Sequence, residues 1–324
     1  STTAGAAPGR SRCAAVVLGA SIGGARKWFV VAGLSFQPAE PAKLALALWG
    51  AHVLALRRRV LHLWRFAISP VLPVSVLMLV LVVVQPDLGT AVSIGIVVVA
   101  LLYFAGVPAR LMAALVGGGL LGLIVLGLSA SYRSSRITSF LSPDADPLGA
   151  AYQSTQALYS LADGGLFGVG LGQGHAKWSY LPNAHNDFIF AIIGEELGLV
   201  GGVAVLGMFA TLAYTGLRIA ARNTDPWIKI LAATLTTWLV AQAVINIDYV
   251  IGLLPVTGIP LPLISSGGTA LVVTMFVFGV LANAARHEPE AAATLRADGP
   301  TRLARLLGLR PPRPDDTTTR TAAD

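Results

Sequence analysis

The carboxylate of Asp187 stands where a long polar stretch meets an apolar one, at the end of Tyr180-Leu-Pro-Asn-Ala-His-Asn-Asp187. An aspartate at such a junction can cap the first turn of a helix by accepting a backbone N–H hydrogen bond. It can also act as a general base that removes a proton from a reacting hydroxyl group. Spacing alone favours the cap and leaves the base open as the catalytic alternative.

Two glutamates, Glu195 and Glu196, lie inside the apolar stretch that follows Asp187. Ionisable residues within such a stretch are costly and are functional by default. Helical geometry places Glu195 about 12 Å deeper than Asp187, which is too far for the paired carboxylates of a glycosidase. We expect an arginine or a backbone amide to satisfy them, and we prefer this structural role to a catalytic one.

Another carboxylate, Asp87, belongs to a tight turn, Gln85-Pro-Asp-Leu-Gly-Thr90, between two apolar stretches. Proline and glycine favour the turn, and Asp87 or Thr90 can cap the helix that follows. Capping is the preferred interpretation, and a place in the lining of an outer cavity is the alternative.

The stretch 131–186 is longer than a simple connection needs, and long loops of this kind are usually functional. Its cations Arg133, Arg136 and Lys177 can contact lipid phosphates or bind a pyrophosphate, to which arginine offers two parallel hydrogen bonds. Its glycines either form tight turns on the membrane surface or let the backbone approach a polar ligand. These glycines are Gly164, Gly165, Gly168, Gly170, Gly172 and Gly174.

The composition shows what kind of scaffold must position these residues. Of 324 residues, 55% are hydrophobic and 12% are charged, with a mean hydropathy of +0.71. Soluble domains carry about 25% charged residues, so we expect an all-α, polytopic transmembrane bundle. The single cysteine, Cys13, excludes an internal disulfide and a cysteine-based zinc site. We assign the net charge of +7 to cytoplasmic arginines and not to nucleic-acid binding.

Seven apolar stretches are candidate spans, each about as long as a bilayer requires. They are Leu44–Leu56 (extended by a first turn over 38–43), Ala67–Val84, Leu88–Ala109, Leu111–Ala130, Phe188–Leu217, Ile230–Ile247 and Leu263–Ala285. From residue 57 onward, nine lysines and arginines lie in one set of loops and three in the other. The positive-inside rule therefore places the loop 131–186 and Asp187 on the extracytoplasmic face.

The sequence divides into three regions. We expect residues 1–23 to be the stump of a preceding span or a linker, and 24–287 to form the membrane domain. Mixed charges and a proline cluster indicate a cytoplasmic, disordered tail over 288–324. Because the chain begins at Ser1 without methionine, we expect it to be a piece of a longer protein.

Five segments together resemble the signature segments of the SEDS family, the FtsW/RodA peptidoglycan glycosyltransferases, and the FtsW type more than the RodA type. The resemblance runs in order from about Gly24 to His287. The segments are Gly24-Ala-Arg-Lys-Trp28, Phe36-Gln-Pro-Ala-Glu-Pro-Ala-Lys43, Gln85-Pro-Asp-Leu-Gly-Thr90, Pro182-Asn-Ala-His-Asn-Asp-Phe-Ile-Phe-Ala-Ile-Ile-Gly-Glu-Glu-Leu-Gly198, and Gly252-Leu-Leu-Pro255 through Leu261-Pro-Leu-Ile-Ser-Ser-Gly-Gly268.

This resemblance implies polymerisation of lipid II into β-1,4 glycan strands outside the plasma membrane, during division at the septum. It maps the catalytic carboxylate onto Asp187 and adds Glu40 and Lys43 to the substrate-binding candidates. A divalent cation, Mg²⁺ or Mn²⁺, is expected at the leaving pyrophosphate, and no organic cofactor is expected. The implied partners are a class B penicillin-binding transpeptidase, other division proteins and membrane lipids.

Two alternatives come from other classes of function, a lipid II flippase and a non-catalytic division scaffold. A transporter places polar residues near the bilayer midplane, on broken helices related by a repeat. Here the polar residues concentrate outside, and we find no internal repeat. The small residues Ser265, Gly267 and Gly268 could form a docking stripe for a partner helix, although packing within the bundle is the preferred interpretation.

Overall fold

The computed structural model describes residues 20–22, 25–31, 34–61, 69–85, 87–129, 140, 151–175 and 185–297. These residues form nine α-helices, a 3₁₀ turn at Arg58–Val60 and a small antiparallel sheet of three strands. The strands are β1 (Ala20–Ile22), β2 (Ala25–Val31) and β3 (Leu34–Phe36). The helices are α1 (Ala39–Leu56), α2 (Val71–Val84), α3 (Leu88–Phe104), α4 (Ala109–Ser129), α5 (Tyr152–Gly164), α6 (Ile189–Arg222), α7 (Pro226–Val250), α8 (Gly268–Arg286) and α9 (Pro289–Ala297).

Each of the seven candidate spans coincides with a helix, α1 to α4 and α6 to α8, so the predicted polytopic helical bundle is confirmed. Within the described residues, α6, α7 and α8 are long and apolar enough to cross a bilayer by length and composition. Helices α2, α3 and the described part of α4 are shorter apolar helices. Helix α1 begins at Ala39 after Pro38, so 38–43 supplies its first turn as expected.

Helix α7 is the centre of the bundle. In its most apolar stretch 72% of the residues are buried, compared with 50% for α6 and 33% for α8. It packs against α6, α3 and α1, and Trp238 and Tyr249 are among its fully buried side chains. A helix surrounded in this way can hold polar groups inside the protein and away from lipid.

Three parts of the chain differ from what the sequence predicted. Residues 20–22, 25–31 and 34–36 form the sheet, so 20–22 is a strand and not the end of a helical span. The rest of the expected stump or linker over 1–23 lies outside the described residues. The loop 131–186 contains α5, which packs on α6.

The expectation of a disordered tail is wrong for residues 289–297, which form helix α9. This segment is rich in good helix formers, and its Glu290 pairs with Arg222 at 3.1 Å.

Helix α6 is broken at Gly198, whose φ of 66° and ψ of −161° are not helical. A break removes intrahelical hydrogen bonds and leaves backbone groups that lipid cannot satisfy. Residues 165–170, which we call the strap, fill this gap. The strap amides of Val169 and Gly170 donate to Glu195 O and Glu196 O, at 3.0 and 3.1 Å.

The bonds also run in the opposite direction, from α6 to the strap. Leu199 N donates to Gly165 O at 2.9 Å, and Val200 N donates to Leu166 O at 3.3 Å. The side chain of Phe167 in the strap is 81% exposed, so the strap is joined to α6 through its backbone. The strap is therefore joined to the helix break by four main-chain hydrogen bonds.

This arrangement gives the loop glycines a role that neither expectation included. A Cβ on Gly168 would overlap the carbonyl of Glu196, and a Cβ on Gly164 would overlap that of Gly194. Gly164 and Gly168 thus let one backbone approach another backbone. The expected turn geometry is also present, since Gly165, Gly168, Gly170 and Gly172 have positive φ angles.

We predict that Gly168→Ala loosens the strap. Its φ of +80° and the overlap with Glu196 O should together cost about 2 kcal/mol or more. Gly165→Ala is the matched control, since its φ is +51° but no described atom lies within 4 Å of the added Cβ. Thermal unfolding in detergent should show the larger loss for Gly168→Ala, and equal losses would contradict the close approach.

Candidate functional site

The segment 185–187 is held by its main chain. Ser266 N donates to His185 O at 3.1 Å, and Ser265 Oγ donates to Asn186 O at 2.6 Å. Tyr249 Oη donates to Asp187 O at 2.7 Å. Three consecutive carbonyls are therefore fixed by the end of α7 and by the loop that leads into α8.

A buried polar pair on α7 completes this arrangement. Asn246 Nδ2 lies 2.6 Å from Tyr249 Oη, 2.8 Å from Ile259 O and 3.0 Å from Asp187 O. Both side chains are fully buried, and the edge of one ring meets the face of the other between Phe188 and Tyr249, with centroids 5.6 Å apart. Spacing of three residues places Asn246 and Tyr249 on one face of α7, which is the face turned toward Asp187.

Asp187 is not the N-cap residue of α6. The N-cap position belongs to Phe188, which has no side-chain capping hydrogen bond, so the N-cap position that spacing favoured for Asp187 is wrong. Asp187 is half-buried, and a Cβ on Gly258 would lie 3.7 Å from its Oδ2 atom. The helix starts two residues after Asp187, which leaves this carboxylate beside the backbone of a loop.

Asp87 does cap a helix. It is the N-cap of α3, where its Oδ1 accepts from Thr90 N at 3.2 Å and its Oδ2 accepts from Thr90 Oγ1 at 3.0 Å. The side chain is 8% exposed. This agrees with the preferred interpretation, in which Asp87 caps the following helix.

The two glutamates of α6 lie beside the strap. Glu195 is buried and accepts a hydrogen bond from His175 N at 2.6 Å, which is the backbone amide expected for it. Glu196 is half-buried and its carbonyl holds the strap. Both residues therefore connect α6 to the loop that leads to Asp187.

Lys43 and Glu40 form an ion pair inside the bundle. Their charged atoms are 2.7 Å apart, with side chains 1% and 7% exposed. The ammonium of Lys43 lies 5.0 Å from the ring centroid of Trp238, a cation–π contact. Glu40 lines a small cleft together with Gln242 and Ser265. Their contact with substrate stays a prediction, since Lys43 turns inward toward α7.

The small-residue segment before α8 packs within the protein. Ser265 is buried and bonds to Asn186 and to Leu261 N, the latter at 2.8 Å. Gly267 is the N-cap of α8, and Gly268 begins it. Ser265 is therefore an internal contact and not part of a docking stripe.

Arg133, Arg136 and Lys177 lie outside the described residues. Sequence reasoning missed Asn246, because its span was treated as uniformly apolar. An asparagine inside such a span is itself a signal of a buried hydrogen bond. Nothing in the sequence distinguished Tyr249 from an ordinary core aromatic residue.

We predict that Lys43→Met is strongly destabilising, since it leaves the Glu40 carboxylate buried without its ion-pair partner. Loss of one member of a buried pair costs about 3–5 kcal/mol. Adding Glu40→Gln should restore much of the loss, as measured by thermal unfolding in detergent. Lys229→Met is the control, because Lys229 is exposed. A double variant no more stable than Lys43→Met would contradict this account.

The sequence and fold match known proteins over most of the chain. The family model FTSW_RODA_SPOVE, described as "Cell cycle protein", matches residues 13–290. The "Probable peptidoglycan glycosyltransferase FtsW" of Mycobacterium tuberculosis is 54% identical over 297 residues, which are 92% of this chain and 57% of the relative. The chain thus spans little more than half the length of that relative. "Stage V sporulation protein E" of Bacillus subtilis is 41% identical over 82% of this chain and 72% of its own length.

Solved structures of similar proteins match the fold of this chain. A chain of a peptidoglycan synthase complex, studied for its structural coordination of polymerization and crosslinking, matches with a TM-score of 0.70 and 29% identity, over 85% of this chain and 77% of that one. The rod shape determining protein RodA of Thermus thermophilus matches with a TM-score of 0.58 and 29% identity, over 85% and 74%. The resemblance in the five sequence segments is thereby confirmed, and the chain belongs to the FtsW/RodA/SpoVE family of membrane proteins, the SEDS family.

Proposed function

We propose that this protein polymerises lipid II into peptidoglycan strands, with Asp187 as the general base on the extracytoplasmic face of the membrane. The observation that carries the proposal is the position of Asp187, whose half-buried carboxylate lies in the loop before the N-cap of α6 and whose main chain is fixed by buried donors. The names of the FtsW relatives support the same activity.

The proposed reaction needs one base. Asp187 removes the proton from the 4-hydroxyl of the acceptor sugar, and the oxygen attacks the anomeric carbon of the donor. The bond between that carbon and the pyrophosphate breaks, and undecaprenyl pyrophosphate leaves with the bonding electrons. In-line attack on an α-linked donor inverts the anomeric centre and gives the β-1,4 linkage. Glu195, engaged with His175 N inside the fold, is not required as a second carboxylate.

The leaving pyrophosphate needs positive charge. Arg133, Arg136 and Lys177 are our candidates, because they lie in the loop that precedes Asp187. Among the described residues, no group of three histidine, cysteine or acidic side chains could hold a metal ion. Magnesium is commonly held by one or two carboxylates together with substrate phosphates, so we assign the expected divalent cation to the pyrophosphate and not to a protein cage.

We propose division-site synthesis beside a class B penicillin-binding transpeptidase as the setting of this activity. A structural neighbour comes from a peptidoglycan synthase complex, which supports a partner of that kind. The loop containing α5 and the strap leads into Asp187 and is a route by which a partner could act on the site.

A lipid II flippase is the second candidate, and the break in α6 favours it, since broken helices line the sites of many transporters. The strap, however, occupies the free backbone groups of that break, so those groups do not face a substrate. The enzyme is therefore the better supported candidate.

We predict that Asp187→Asn lowers polymerisation of lipid II by about 10²-fold or more, the usual scale for loss of a general base. The change keeps the size of the side chain, so the thermal unfolding midpoint should hold. Asp163→Asn is the matched control, because Asp163 is an exposed carboxylate on α5. The assay follows glycan polymers made by the purified protein with a transpeptidase partner in detergent.

Detergent abolishes sidedness, so polymer formation distinguishes an enzyme from a flippase or a scaffold. Normal polymerisation by Asp187→Asn would refute the base assignment. No polymer from the unaltered protein, in the presence of an active partner, would refute the enzyme.

We predict that replacing at least one of the three outer cations by alanine raises the KM for lipid II while the protein stays folded. Arg133→Ala, Arg136→Ala and Lys177→Ala are compared at limiting lipid II, where loss of pyrophosphate binding raises KM. Wild-type kinetics in all three variants would mean that these side chains contact only lipid headgroups.

A further inference from the structure

We propose that Tyr249, together with Asn246, is a positioning residue for Asp187, acting on its main-chain carbonyl. The proposal rests on the proposed function, in which Asp187 is the base. A base must be held within hydrogen-bond reach of its proton, and a misplacement of about 1 Å can cost 10²-fold in rate. Asp187 lies in a loop, so something outside its own helix must supply this precision.

The hydrogen bonds of Asn246 and Tyr249 supply this precision. Asn246 Nδ2 carries two hydrogens and the Tyr249 hydroxyl carries one. In the described part of the chain, their hydrogen bonds go to three acceptors, Tyr249 Oη, Ile259 O and Asp187 O. The shortest assignment has Asn246 donating to Tyr249 at 2.6 Å and to Ile259 O at 2.8 Å, with Tyr249 donating to Asp187 O at 2.7 Å. Every hydrogen then has one acceptor.

The amide of Asn246 therefore orients the tyrosine hydroxyl, and the hydroxyl fixes Asp187. The ring of Tyr249 is itself immobilised, since it is fully buried and packs against Phe188. None of these contacts involves a carboxylate oxygen of Asp187. In this proposal Tyr249 acts on the carboxylate through the main chain of Asp187.

The geometry separates this role from a role in folding. In Tyr249→Phe the two hydrogens of Asn246 remain for the two carbonyls, Ile259 O at 2.8 Å and Asp187 O at 3.0 Å. Because both carbonyls keep a donor, we expect the fold to be retained. The carbonyl of Asp187, however, loses its 2.7 Å hydrogen bond from Tyr249 and is held only by Asn246, from a different direction. In Asn246→Ala a single hydroxyl hydrogen would serve two carbonyls, which makes that variant a poorer test.

The experiment measures lipid II polymerisation by Tyr249→Phe with the same partner and detergent. We expect kcat to fall about 10-fold, with KM for lipid II and the unfolding midpoint close to the wild-type values. Thr236→Val is the matched control, since it also removes a buried hydroxyl from α7, one bonded to Ala232 O at 2.8 Å. Thr236 lies about 20 Å along the helix from Tyr249, so its variant should keep wild-type kinetics.

A double-variant comparison tests whether the effect passes through Asp187. In an Asp187→Asn background, Tyr249→Phe should lower the residual rate no further, because the base that it positions is gone. An equal fold-loss in both backgrounds would overturn the proposal, and so would wild-type kcat or loss of the folded state in Tyr249→Phe. Normal polymerisation by Asp187→Asn alone would refute the proposed function, whereas loss there with normal Tyr249→Phe refutes only the positioning role.

Discussion

Hydrocarbon offers no hydrogen-bond partners, so every polar group within the bundle must be satisfied by the protein itself. This constraint accounts for three polar features of the structure. The break at Gly198 is tolerated because the strap supplies donors and acceptors to it. Lys43 is tolerated because Glu40 and Trp238 surround its charge. For the same reason the buried hydroxyl of Tyr249 on α7 needs a hydrogen-bond acceptor, and the carbonyl of Asp187 provides one.

The break and the site are connected through the chain. The strap, α5 and the start of α6 pack together, and residues 185–187 lie directly before α6. Close backbone contact at Gly168 and Gly164 leaves little freedom for the loop relative to the helix. The strap and α6 are therefore held together by main-chain hydrogen bonds, and α6 is the helix that begins beside Asp187.

The segment that carries the proposed base is fixed through its main chain. The carbonyls of His185, Asn186 and Asp187 accept hydrogen bonds from Ser266 N, Ser265 Oγ and Tyr249 Oη. Preorganisation of this kind places the reacting atom before substrate arrives.

The sequence by itself determined the class of the protein and the places of its apolar helices, and it singled out Asp187 as the candidate base. Hydropathy runs and loop arginines are local patterns, and a charge-free apolar run of about 20 residues has few alternatives to a membrane helix. The signature segments identified the family for the same reason, since they are continuous in the chain. The cap of Asp87 was likewise predictable, because capping involves residues three positions apart.

Only the tertiary structure decided which residues from distant parts of the chain contact one another. Asp187 and Tyr249 are 62 residues apart, and Ser265 and Asn186 are 79 apart, so no local pattern could pair them. Gly168 of the strap lies against the backbone of Glu196 beside the break in α6. A glycine is required there only because the two backbones come together in the fold. Spacing favoured a helix cap for Asp187, whereas the helix begins after Phe188. Long-range packing fixes where a helix starts and which backbone groups remain to be satisfied, and these contacts exist only once the chain has folded.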